Sequence, residues 1–146
     1  MSFESMEVRL KALGIVLPQA GEPAAKYVNA VIVNGLMFVS GKGPAGHPGG
    51  KLGSDFSTEE GYQFARSTGL EILAVLQSEL GTLDKVKRVV KIQGFVNAEP
   101  FYRFQERESP LFKGWDDSDF GLGRTFRYVH VRLYLAPFLF CLFAYV

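Results

Sequence analysis

Ala24-Ala25-Lys26-Tyr27-Val28-Asn29-Ala30-Val31 is followed after a short gap by Leu36-Met37-Phe38-Val39-Ser40-Gly41-Lys42-Gly43-Pro44. Two apolar runs flank the pair Asn34-Gly35. Asn-Gly accepts positive φ at both turn positions, so the spacing predicts a tight hairpin of strands Val28–Val33 and Leu36–Ser40. The second strand ends at Ser40-Gly41, where small side chains leave room beside exposed backbone. A loop from Gly41 to Ser54 follows. It holds Gly41, Gly43, Gly46, Gly49, Gly50 and Gly53 with Pro44 and Pro48, and this content predicts irregular backbone that a ligand can approach.

Working outward, Ser57 to Leu80 reads as the longest helix. Ser57 and Glu60 have capping-box spacing, and Tyr62, Ala65, Gly69, Ile72, Leu73, Leu76 and Leu80 recur with helical period before Gly81. Upstream, Ser5 to Leu13 predicts a short amphipathic helix with Met6, Leu10 and Leu13 on one face and Gly14 closing it. Downstream, Val86 to Asn97 reads as a strand, with Val86, Val90, Ile92 and Val96 on one face and Lys87, Val89, Lys91 and Phe95 on the other. Phe101 to Lys113 can begin a second long helix, although Pro110 damages its interior. Trp115 to Gly123 reads as an acidic loop, and Phe126 to Tyr134 and Phe138 to Val146 as the last strands. The order suggests a single α+β domain over 1–146, one sheet carrying both long helices on one face. The opposite face stays apolar, which marks a subunit interface.

Composition bounds the function. The chain has 146 residues, 47% of them hydrophobic and 21% charged, the balance of one folded domain. The net charge of +1 supplies no field favouring nucleic acid or an anionic membrane. One cysteine, Cys141, permits no internal disulfide, and with two histidines it argues against a structural zinc. The lone cysteine fits a reducing compartment. The N-terminus bears Glu4 and Glu7 without a long apolar run, so neither a signal nor a transit peptide is read there, and a cytoplasmic location is expected. The apolar run from Leu133 to Val146 is shorter than the about 20 residues of a spanning helix, and Pro137 interrupts it.

Several motifs fail on physical grounds. Gly41-Lys42-Gly43-Pro44-Ala45-Gly46 fits G-x-G-x-x-G, but Pro44 and the following His47-Pro48-Gly49-Gly50 deny the helix whose amides would face a pyrophosphate. His47 reads as a solvated loop histidine. Asp116-Asp117-Ser118-Asp119 lacks oxygen ligands at the required later positions, Phe120 and Arg127, of a calcium loop. Lys85, Lys87, Arg88 and Lys91 form a basic cluster without an aromatic stacking platform and read as a solvated strand edge. Arg124, Arg127 and Arg132 lie in or beside an apolar aromatic strand. For Arg127 two readings stand: snorkelling at a strand end, or a guanidinium fork gripping a carboxylate.

From about Pro23 to Asn97 the sequence resembles the RidA/YjgF family, the reactive-intermediate deaminases that include L-PSP endoribonuclease-like proteins. The resemblance rests on Tyr27-Val28-Asn29-Ala30-Val31, Leu36-Met37-Phe38-Val39-Ser40-Gly41, Leu70-Glu71-Ile72-Leu73 and Asp84-Lys85-Val86-Lys87-Arg88-Val89-Val90-Lys91, in that order. It implies a chorismate-mutase-like fold, two helices backing one sheet, and a barrel-like homotrimer with ligand sites between subunits. It also implies hydrolysis of reactive 2-imino acids to 2-oxo acids and ammonia without a cofactor or metal. By position, Tyr27 would line the pocket, Ser40 and Gly41 would offer backbone groups, and Arg127 would hold the carboxylate, with Arg124 and Arg132 as competitors. The last third departs from the pattern. Phe143 falls where the family has the glutamate that positions water, and phenylalanine moves no proton. Two further readings follow: a non-catalytic small-acid-binding or regulatory homologue, and, with less support, an endoribonuclease or translation inhibitor.

Overall fold

The computed structural model describes residues 5–23, 25–99, 126–127 and 138–146, with backbone alone for 126–127, 138–141 and 143. The elements run α1 (Met6–Ala12), β1 (Ala30–Val33), β2 (Leu36–Lys42), α2 (Thr58–Leu80), a 3-10 turn (Leu83–Lys85), β3 (Arg88–Val96), β4 (Phe126–Arg127) and β5 (Phe138–Tyr145). The five strands form one sheet in the order β1-β2-β5-β3-β4. Neighbours pair antiparallel except β3 and β4, which are parallel. Since β2 and β3 both oppose β5, they run parallel to each other, and α2 is the crossover between them with β5 inserted in the gap. This is an α+β fold of the chorismate-mutase-like kind. The proposed helix over Phe101 to Lys113 and the loop over Trp115 to Gly123 lie outside the described residues, as does the Phe126 to Tyr134 strand beyond Arg127.

The hairpin forms as its turn chemistry demands. Asn34 and Gly35 have φ of 49° and 76°, and Val33 pairs directly with Leu36. A side chain at Gly35 would also crowd the Tyr145 ring at 3.2 Å. At the other end β1 begins at Ala30, two residues later than the apolar run suggests. There Tyr27 turns back, its N–H donating to Ala25 O at 2.8 Å.

Helix α2 starts on Ser57. The Ser57 hydroxyl accepts from Glu60 N–H at 3.2 Å, and the Glu60 carboxylate accepts from the Ser57 N–H and hydroxyl, both at 2.8 Å. Those bonds hold the Glu60 carboxyl below its ordinary value, the backbone donor acting most strongly. Gly81 closes the helix with φ of 80°. Its inward face places Ile72, Val75, Leu76 and Leu80 against Met37 and Val39 of β2, Val96 of β3, and Leu142 and Ala144 of β5. Burying each large aliphatic side chain contributes about 1.5–3 kcal/mol. Thr68 is fully buried among them, its hydroxyl satisfied by Phe64 O at 2.8 Å.

Three local readings need correction. Leu13 is 64% exposed, because α1 ends there and the chain turns at Gly14. Leu17 joins Met6 and Leu10 against the core instead. In β3 the register shifts between Val89 and Lys91, a bulge that leaves Val90 42% exposed. The extra residue reverses alternation, so Val89 and Ile92 pack toward the core although strict period two separates them. Finally, the glycine-rich loop is anchored rather than irregular throughout. Leu52 is fully buried, donates to Asn97 O at 2.9 Å and accepts from Glu99 N–H at 3.0 Å.

Leu52 enters α2 over Gly61, where an added Cβ would meet its Cδ2 at 2.8 Å and its Cδ1 at 3.0 Å. Gly61 lies in the first turn of α2, and alanine for a glycine inside a helix gains at most about 0.5–1 kcal/mol. Here overpacking of about 1–3 kcal/mol dominates. Gly61→Ala is therefore expected to lower the urea midpoint, and a raised midpoint would show that Leu52 repacks freely.

Candidate functional site

The open end of the hairpin gathers Tyr27, Ser40 and Gly41, three of the residues proposed from the sequence. Between Val39 and Lys42 the register of β2 against β5 shifts, so three steps on β2 match two on β5. The bulge lies at Ser40 and Gly41. The Ser40 N–H donates to Asn29 O at 2.9 Å, and the Ser40 hydroxyl donates to Val28 O at 2.7 Å. Its proton thus committed, the hydroxyl oxygen faces any further partner as an acceptor. Tyr27 stands beside this corner, 44% exposed.

The same bulge buries a charge that alternation would have left in solvent. Met37 and Val39 face the core, and period two would continue with Gly41. The extra residue turns Lys42 inward instead, to 8% exposure. Its ammonium donates to Asn29 Oδ1 at 2.7 Å and to Gly21 O at 3.3 Å, and lies 3.6 Å from Glu71 Oε1. Glu71 Oε1 also accepts the Gly21 N–H at 2.8 Å, and Asn29 Nδ2 donates to Gly21 O at 2.9 Å. Both backbone groups of Gly21 are therefore gripped. In the sequence Lys42 draws notice only as part of a glycine pattern. The usable signal is a lysine three residues beyond a core-facing valine, with Ser-Gly between as the bulge.

Arg127 occupies a different place. Direct register partners run in one row across the sheet: Ala30, Val39, Leu142, Ile92 and Arg127. Val39, next to Ser40, is three strands from Arg127. At about 4.8 Å per strand their backbones stand roughly 14 Å apart. One chain thus brings Tyr27, Ser40 and Gly41 together and sets Arg127 on the far edge. Arg124 and Arg132 lie outside the described residues. Phe143 pairs through its backbone with Phe38 and Lys91 in the middle of the sheet.

The sheet face turned from α2 carries Val31 at 48%, Val33 at 50%, Phe38 at 40% and Tyr145 at 44% exposure. This is the apolar surface expected from the sequence. Of the basic cluster, Lys85 caps the end of α2 through Leu80 O at 2.6 Å, and Lys87 lies 5.3 Å from the centre of the Tyr145 ring. His47 sits in an exposed turn with φ of 46°. Among the described residues, no three His, Cys, Asp or Glu side chains converge on a metal position, and no helix is long and apolar enough to cross a membrane. An open recess of about 400 Å³ lies between α1 and Gln77 of α2 and shares no residue with the hairpin corner.

The Lys42 network sets a stability prediction. Breaking a buried ion pair on one side costs about 3–5 kcal/mol because the remaining charge is stranded. Glu71 keeps some solvent, so Lys42→Met is expected to cost about 3 kcal/mol in urea unfolding at fixed protein concentration. Adding Glu71→Leu should recover part of that loss. A cost below about 1 kcal/mol for the single variant would place Lys42 among weak surface pairs.

Comparison with known proteins fits this geometry. No family model matches the sequence. Protein TCP17 of Trypanosoma cruzi is 41% identical over 100 residues, 66% of this chain and 62% of its own, so the chain spans under two thirds of that relative. A candidate endoribonuclease of Shewanella oneidensis superposes with a TM-score of 0.83 at 27% identity, covering 98% of this chain and all of its own. TdcF of E. coli, solved with bound serine, shares the fold at a TM-score of 0.59 and 14% identity, over 88% of this chain and 94% of its own. With the β-α-β crossover and the full-length match to the Shewanella structure, the chain has the fold of the L-PSP endoribonuclease-like proteins that its sequence resembles.

Proposed function

We propose that this protein is a homotrimeric enamine/imine deaminase that hydrolyses small 2-imino acids to 2-oxo acids and ammonia in clefts between its subunits. The observation that carries the reading is the register row. Tyr27 and Ser40 lie at one side of the sheet and Arg127 at the other. A second copy whose β4 edge approaches the hairpin corner joins them. The apolar face of Val31, Val33, Phe38 and Tyr145 gives such copies a reason to associate. The serine held by TdcF, a small molecule with a carboxylate beside a nitrogen, favours the same ligand class.

The chemistry needs little from the protein. Protonated at nitrogen, the imine carbon is already electrophilic. Water adds to that carbon, a proton passes from the added water to the nitrogen, and the C–N bond breaks. The products are the 2-oxo acid and ammonium. Arg127 of one copy would clasp the carboxylate with two parallel hydrogen bonds. Ser40 of its neighbour, an acceptor once its proton is given to Val28, would take an N–H of the substrate. The carboxylate and the nitrogen therefore point to opposite copies, and holding both fixes the carbon for attack. With Phe143 in place of an acid or base, the rate falls by the about 10²–10⁴-fold that such help supplies, leaving a slow enzyme on an intrinsically reactive substrate. No cofactor enters this scheme. The lone cysteine suits a reducing compartment, and a cytoplasmic site of action is part of the same reading.

Phe143 also favours a second reading, a non-catalytic binder of small 2-oxo acids at the same cleft. One assay separates the two. Freshly generated 2-aminoacrylate is expected to yield 2-oxo acid faster with the protein than without it. Arg127→Ala should slow that release about tenfold or more, the worth of a charge-assisted hydrogen-bond pair. No acceleration together with binding of 2-oxobutanoate would select the binder, and release unaltered by Arg127→Ala would remove Arg127 from the site.

A further inference from the structure

We propose that Lys42 is a positioning residue: through Asn29 it fixes the Ser40 hydroxyl as a hydrogen-bond acceptor and thereby gives the cleft its preference for a ligand nitrogen. The inference rests on the functional reading above for its ligand, and on the geometry of this chain for its mechanism.

Asn29 joins Lys42 to Ser40, because three of its groups act at once. Its Oδ1 accepts from the Lys42 ammonium at 2.7 Å, its Nδ2 donates to Gly21 O at 2.9 Å, and its backbone carbonyl accepts the Ser40 N–H at 2.9 Å. The carbonyl just before it, on Val28, takes the Ser40 hydroxyl proton at 2.7 Å. The short Tyr27–Asn29 stretch is therefore pinned from behind by a buried ammonium and from in front by Ser40. A serine hydroxyl in water rotates freely and both donates and accepts. Here its proton is spent on a carbonyl whose place is set by Lys42. What remains for a ligand is oxygen lone pairs, which attract an N–H and repel a carboxylate. The ammonium itself has three oxygen partners, Asn29 Oδ1, Gly21 O and Glu71 Oε1, and it turns toward α2. It thus acts through Asn29 and touches no substrate atom.

Removing the ammonium while keeping an acceptor for Gly21 isolates this role. Lys42→Met with Glu71→Gln strands no charge and leaves an amide oxygen to accept the Gly21 N–H. Asn29→Ala is an independent second variant that cuts the same linkage and keeps the ion pair. Each assembled protein is titrated with 2-aminobutanoate, which carries N–H donors, and with butanoate, which carries none. Amide hydrogen exchange is followed in parallel. The parent is expected to favour 2-aminobutanoate. In both variants that preference falls about fivefold to tenfold, and exchange at Gly21 and from Lys26 to Asn29 quickens at least tenfold while the middle of α2 is unchanged. A merely structural role predicts equal weakening of both ligands, and that result overturns the proposal, as does an unchanged preference. If the parent binds neither compound, the functional reading falls by itself. The exchange data then decide the lock: faster exchange at Gly21 and Lys26–Asn29 retains Lys42 as its anchor, and unchanged exchange removes it.

Discussion

Strand β5 in the middle of the sheet is the constraint on which the rest depends. It pairs with β2 on one side and β3 on the other. That placement makes α2 a crossover with a strand beneath it, and brings Leu142 and Ala144 into one core with Val75 and Leu76. It also pushes the hairpin to one edge and β4 to the other. Two whole strands therefore lie between β2 and β4, and within one chain Tyr27 and Arg127 belong to opposite sides of the sheet. The distance follows from strand spacing and register, not from any side-chain detail.

The two bulges do the finer work. The bulge at Val90 lets β3 present Val89 and Ile92 to one core. The bulge at Ser40 and Gly41 does the reverse and brings a charge into the interior. A buried ammonium costs several kcal/mol unless its protons are satisfied. Here Glu71, Asn29 and Gly21 meet that need. The result is a corner whose backbone and hydroxyl orientation are set by polar contacts in directions that apolar packing does not specify.

How much of this was legible in the sequence differs from element to element. Asn34-Gly35 and Ser57 with Glu60 state their structure in local chemistry, and both formed as written. The periodicity of α2 foretold its buried face, with Thr68 facing inward where Gly69 was expected. Alternation failed wherever a bulge intervened, since period-two reading assumes a register that only the partner strand can shift. For that reason alternation misplaces Val90 and passes over Lys42, while the family resemblance singles out Tyr27, Ser40 and Gly41, which share one corner of the hairpin. The sequence hints at the central place of β5 through its unbroken apolar run, which suits a strand with neighbours on both sides. The pairing itself is a long-range fact. So is the distance of Arg127 from the hairpin, which no local pattern encodes.

The central claim is that the acid-binding cleft exists only between copies of this chain. A crystal structure of the assembled protein with 2-oxobutanoate tests it most directly. The account predicts the ligand carboxylate on Arg127 of one protomer, with the rest of the molecule against Tyr27 and Ser40 of the next. A ligand enclosed by a single chain, or a guanidinium of Arg127 in bulk water away from every neighbouring protomer, would contradict it.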